Sequence, residues 1–252
     1  MHHWLTTILI LVPVAGALLV AIAPLPGYWL GSVASLVSLL EVGFWITAAA
    51  KFDFSSPALQ LGQSRSWFHD LGVSYHVGQY AFSLWLVGAT TVVMAACTIY
   101  GWWVGRDRGR AYFALMLSLT GAIVGVFTAQ DLLLFYAFFE AMLIPLYVLI
   151  GVWGGPQRLR ATLTFVIYTV VGSLLMLAAI VVLGLQKGTF DLTRMGTSSS
   201  TWLFLGFVAA FAIKSPIFPL HGWLPITYRE SPPEVSSRLI TGPLPLNGGT
   251  VM

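Results

Sequence analysis

Seven windows of about 20 mostly apolar residues run through this chain, near positions 4–23, 28–50, 81–104, 111–129, 131–153, 161–185 and 201–220. That is the length an α-helix needs to cross the hydrocarbon core of a bilayer. With no water in that core, each spanning segment must satisfy its own backbone polar groups, as a helix does. The windows predict an all-α, polytopic membrane helix bundle of about seven transmembrane helices. The scarcity of charge agrees. Only 8% of the 252 residues are charged, against about 25% in a soluble domain. The net charge of +3 comes from a few loop arginines, which is no basis for nucleic-acid binding.

The connections are short, except for about 30 residues from Lys51 to Tyr80. That loop carries Pro57, Gly62, Arg65 and Asp70 and is expected to lie across a membrane face. "AIAPLPG" at 21–27 offers a small-residue cleavage pattern after an apolar run, yet "MHHWLTT" before it lacks the basic region of a signal peptide. A retained first span is expected. Cytoplasmic loops collect Lys and Arg. With the N-terminus outside, the inner side holds Arg106, Arg108, Arg110, Arg158, Arg160, Arg229 and Arg238, and the outer side Lys51, Arg65, Lys187 and Arg194.

Other features read as structural. "GWWVG" (101–105) and "GAIVG" (121–125) place glycines four apart, which lets helices approach closely. Trp29, Trp102, Trp103, Trp153 and Trp202 lie near span ends, where indoles suit the headgroup zone. Cys97 is the single cysteine and reads as a packing residue. Iron–sulfur clusters need several thiolates, and no pair among His2, His3, His69, His76 and His221 sits at helical spacing within a span. There is no glycine-rich phosphate loop after a strand either. No cofactor is expected on this chain.

Three charged residues fall inside spans: Glu41, Glu140 and Lys214. Each costs about 2.5–3.5 kcal/mol on insertion scales, so each calls for a reason. On a helix, Tyr136, Glu140 and Tyr147 share a stripe, and Pro145 frees the carbonyl of Ala141 near the same level. Lys214 lies about 14 residues into its window, followed by Pro216 and Pro219, which free the carbonyls of Ala212 and Ser215. Non-helical backbone at membrane depth is tolerated only where it is buried in protein or lines a watery cavity. Charges at broken helices are how many transporters build their midplane sites. Glu140 and Lys214 are therefore candidates for proton transfer, against the plainer readings of a packing glutamate and a static ion pair. His221, just past the break, is a candidate relay, or a cap for freed carbonyls. Glu41, with no proline in its helix, reads as a buried packing carboxyl.

The stretches "AQDLLLFYAFFEAMLIPLYVLIGVWGG" (129–155) and "FAIKSPIFPLHGWLPITYRESPPEVS" (211–236) resemble the antiporter-like subunit M family of bacterial proton-pumping NADH:quinone oxidoreductase, respiratory complex I. The resemblance covers roughly residues 1 to 237. It implies inverted five-helix repeats, with residues 1–110 as an N-terminal three-helix region and 111–237 as a first, incomplete repeat whose broken helix is the seventh span. It also implies that Glu140 and Lys214 are the family's intramembrane glutamate and broken-helix lysine, the input side of a proton half-channel driven by quinone reduction in other subunits. The partners implied are the other membrane subunits of the complex, in the bacterial inner membrane.

The sequence departs from the family pattern at "GQYAFS" (78–83), where an acidic residue is usual, and in 238–252, "RLITGPLPLNGGTVM" with its lead residue Arg238, which is expected to be a truncation or frameshift. A cation/proton antiporter or membrane hydrogenase subunit of the same fold is the alternative. A non-functional truncated scaffold is the second.

Overall fold

The computed structural model describes residues 4–68, 72–233 and 235–236. His2, His3, His69 and Asp70 lie outside those residues, as does the 238–252 tail. Among the described residues, six helices are long and apolar enough to cross a membrane. They are α1 (Leu5–Ile22), α2 (Gly27–Ala50), α3 (Ala81–Val104), α4 (Gly109–Thr128), the pair α5 (Leu132–Ala141) and α6 (Leu143–Trp153) acting as one span, and α7 (Arg158–Lys187). After the single turn α8 (Leu192–Met195) comes α9 (Thr201–Lys214), apolar but shorter, and then α10 (Trp223–Glu230). The bundle is a polytopic helical one, as expected, and its six spans start and end close to the first six windows read from the sequence; in the seventh window the helix stops at Lys214, short of the expected limit of 220.

Two helices organise it. α4 touches α1, α2, α3, α5 and α6, and Tyr112, Met116, Leu117 and Leu119 on it have no exposed surface. α7 carries α5, α6, α9 and α10. Hydrophobicity alone does not select α4 for the centre, because every span here is apolar and lipid is as oily as leucine; small residues do so by letting backbones approach. Gly121 lies against the Ile10 carbonyl and Val14 of α1, Gly125 against the ring of Phe138 in α5, and Gly101 of α3 against Tyr112. A side chain at any of these three positions would displace its neighbour. Three of the four glycines in those pairs are thus packing sites; the fourth, Gly105, instead ends α3 in the left-handed conformation, with nothing within 4 Å of where a Cβ would sit.

The 51–80 loop is not a featureless surface loop. It folds into an antiparallel hairpin, β1 (Gln60–Phe68) and β2 (Val73–Gln79), with Ser64 opposite His76 and Ser66 opposite Ser74. Val77 of β2 pairs with Ala129, and Asp131 with Asp191. The hairpin is thereby joined to the start of α5 and to the segment after α7.

Candidate functional site

Proline dictates where the two broken helices break. Pro145 has no N–H to offer the Ala141 carbonyl, and regular helix is interrupted at Met142, leaving α5 to end one residue past Glu140. In the seventh span the helix ends at Lys214 itself. Pro216 likewise has no N–H for the Ala212 carbonyl. That carbonyl takes the Ile217 N–H instead, at 2.9 Å, which leaves the Ile213 carbonyl without its helical donor. The indole Nε1 of Trp223 supplies one at 2.8 Å. Trp223 is fully buried, so this bond fixes the unwound turn against the start of α10.

The ammonium of Lys214 is therefore held at the end of a helix, 7% exposed and inside the protein. Its Nζ lies 5.1 Å from the Phe139 ring centre and 5.6 Å from that of Phe165, distances at which ring quadrupoles attract a cation. Nζ has no hydrogen-bond partner, and neither does Oε1 of Glu140. The two groups are nonetheless close enough for the carboxylate of Glu140 to act on Lys214 through its field. A carboxyl and an amine are thus brought within electrostatic reach on α5 and α9 without forming an ion pair, with the aromatic ring of the residue preceding Glu140 against the amine.

Tyr136, one turn before Glu140, sits beside both that carboxyl and the hydroxyl of Ser173 on α7, as its helical spacing predicts. Tyr147 does not join them. The break at Met142 interrupts the stripe, and Tyr147 is 46% exposed on the outer face. His221 is also exposed, in the turn between α9 and α10, with its ring 5.6 Å from that of Phe218. The structure does not bring it against Lys214. Glu41 lies in α2, away from the pair and almost completely buried.

One constellation escaped the sequence reading. Asp131, with no exposed surface, caps α5 through the N–H groups of Leu133 and Leu134, at 3.0 and 3.2 Å. Its other oxygen accepts from the N–H of Ser74 at 2.9 Å. Asp191 caps α8 through Thr193 and lies 3.1 Å from Nδ1 of His76. Burial raises the Asp191 carboxyl, but the Thr193 hydroxyl and N–H together with His76 outweigh it and hold the group below the usual carboxylate range. These two aspartates tie the hairpin to the origin of the helix that carries Glu140. The sequence held half the signal, since Asp ahead of an apolar run is an N-cap pattern. That the free oxygens would reach β2 was not readable, because β2 lies over 50 residues away.

Residues 129–245 match the family described as the membrane region of NADH:quinone oxidoreductase and Mrp antiporters. The chain is 37% identical over 235 residues to NADH-ubiquinone oxidoreductase chain 4 of Arabidopsis thaliana, covering 89% of this chain and 47% of that one. It is 35% identical over 222 residues to NADH-quinone oxidoreductase subunit M of Rhodobacter capsulatus, covering 81% and 42%. Among solved structures, a chain of respiratory complex I from Thermus thermophilus with bound NADH superposes with a TM-score of 0.79 at 33% identity, over 93% of this chain and 49% of that one. A chain of the Mrp complex from Dietzia sp. DQ12-45-1b reaches the same TM-score at 20% identity, over 93% and 26%, a likeness of fold alone. The chain spans about half the length of the curated relatives it matches.

Proposed function

The chain belongs to the family of subunit M, or chain 4, of NADH:quinone oxidoreductase, and from that premise we propose that it is a proton-translocating membrane subunit whose working pair is Glu140 and Lys214. The observation that carries the proposal is the buried, unpaired ammonium at the end of a broken helix, within the field of a carboxyl on a second broken helix. Proximity favours the charged form of both partners, and separation favours the neutral form of both. A shift of charge elsewhere in the complex that moves one partner therefore makes the amine shed a proton and the carboxyl take one. The break at Met142 is where α5 has the freedom to move, while the Trp223 bond holds the turn after Lys214 in place.

In this reading quinone is reduced in other subunits, and this chain holds no redox group of its own. Its partners are the neighbouring membrane subunits. It sits in the bacterial inner membrane with its N-terminus outside, so that the arginine-rich turns face the cytoplasm. His221, at the exposed turn, is the group that passes protons to or from Lys214 once the chain is assembled.

The test is Lys214→Ala and Glu140→Ala in the full-length protein within its complex. Coupled proton pumping, read as acidification per quinone reduced, is expected to fall in both. Pumping at the parental rate in both variants overturns the pair's role.

The likeness of fold to a chain of the Mrp complex and the family's own description favour a second reading, cation/proton exchange. Cation-dependent proton movement without quinone reduction distinguishes it from the first.

A further inference from the structure

The first four helices contain one acidic side chain, Glu41, and the proposed pair makes no use of it. It lies near the middle of α2 with 1% of its surface exposed, and neither carboxyl oxygen has a partner. Ser38 and Ser35, three and six residues before it on the same side of the helix, are 2% and 5% exposed, and neither hydroxyl oxygen has a partner. Four polar oxygens thus run along one buried stripe. A buried polar group without a hydrogen bond costs about 1–3 kcal/mol, and buried groups in proteins are almost always satisfied by protein or by internal water.

What faces the stripe follows from two close contacts between α2 and α3. Gly31 lies under the indole of Trp102, and the indole of Trp45 fills the space beside Gly88 and donates to the Leu84 carbonyl at 2.9 Å. The helices are antiparallel, so each residue gained along α2 is one lost along α3. That register places Thr98 level with Ser35, Ala95 with Ser38, and Val92 with Glu41, so that Thr91 lies one residue from the level of the carboxyl. Thr91 and Thr98 have no exposed surface, and each donates to its own helix, at 3.0 and 2.7 Å. Their oxygens remain acceptors. The Nε1 of Trp102, at the end of the seam nearest the arginine turn, is buried without a partner. From Gly31 to Glu41 the seam covers about 15 Å of helix.

Among the described residues, no counter-charge serves Glu41. α2 packs against α1, α3 and α4. α1 has no titratable side chain, α3 has Cys97 and Tyr100, and α4 has Tyr112 and, in its first turn, the exposed Arg110. Lys51, at the far end of α2, is exposed.

We propose that the α2–α3 seam binds a file of internal water molecules held by Ser35, Ser38 and the threonines opposite, ending at Glu41, which exchanges a proton with it. The carboxylate takes a proton from hydronium at its end of the file, leaving water, and returns it the same way. This is a second proton-binding site, on helices that carry neither Glu140 nor Lys214, and it stands independently of their role.

Infrared spectroscopy of the purified chain in lipid nanodiscs tests it. A protonated-carboxyl C=O stretch is expected that survives Glu140→Gln, disappears in Glu41→Gln, and shifts promptly on mixing with D₂O. Ser35→Ala with Ser38→Ala removes two hydroxyls at little change of shape and is expected to slow that shift about tenfold or more, the effect of a lost hydrogen bond in the path. Absence of a Glu41-dependent band overturns the site. So does a band that never exchanges, or one that exchanges equally fast in the double variant. If the double variant does not fold, Ser38→Ala alone is read by the same criterion. The Glu140 control keeps this result separate from the fate of the proposed pair.

Discussion

Trp223 shows how one side chain decides what a proline motif does. The prolines of "KSPIFP" free carbonyls wherever they occur, but only a donor placed ten residues on turns the break into a fixed shape. Trp223→Phe keeps the aromatic packing against Phe165 and deletes that donor. It is expected to cost about 1–3 kcal/mol, the penalty for orphaning a buried carbonyl, seen as a lower unfolding midpoint in nanodiscs. A midpoint unchanged in Trp223→Phe shows the indole bond to be dispensable. Gly125→Leu probes the opposite kind of residue. The ring of Phe138 already occupies the space a side chain would need, so overpacking of about 1–3 kcal/mol is expected, read by the same melt. Of the residues read from the sequence, Glu140 and Lys214 were legible because a charge at membrane depth is costly enough to demand a partner. Tyr147 was misplaced because helical spacing stops counting at a break.

Among the elements, α5 and α6 form one span only in the sense of length. Pro145→Ala restores the missing N–H and is expected to straighten the span at Met142. Stability should then hold or rise while coupled pumping in the full-length protein drops, with melting and acidification measured together. Unchanged pumping with a continuous helix removes the break from the mechanism. The hairpin, too, is an element with a dependence. Asp191 has a folded-state value held below its ordinary one by Thr193 and His76 against the pull of burial. Its contribution is therefore fully present above about pH 4, the ordinary aspartate range. It is lost as pH falls through the lowered value. Asp191→Asn is expected to speed hydrogen exchange at β2 amides at pH 7, and acidification of the parent chain should approach that behaviour. Protection equal to the parent's in Asp191→Asn would show that the clamp lies elsewhere. The hairpin itself was not legible. Its residues are polar and glycine-containing, and what makes them strands is pairing with each other and with Ala129, none of it local.

For the molecule as a whole, the membrane supplies a frame that a single cysteine makes measurable. Cys97 is buried in α3, so cysteines introduced one at a time report without interference. A cysteine at Ser66 in the hairpin is expected to react with an impermeant maleimide from outside the cell, and one at Arg108 only after the membrane is opened. The reverse pattern inverts the proposed topology.

The sequence by itself determined the helical membrane class, the approximate limits of six spans, the two break points and the residues whose charge needs an explanation. All of these depend on local chemistry: runs of apolar side chains, a ring nitrogen without a proton, an ion far from water. Only the tertiary structure decided that α4 sits at the centre, that Phe139 rather than a hydrogen bond faces the ammonium, that Asp131 and Asp191 bind a hairpin to the origin of α5, and that Glu41 shares its seam with two serines and two threonines. Those outcomes depend on which surfaces meet across tens of residues. Where every helix is equally apolar, it is shape and the few polar groups that choose among the ways of packing them.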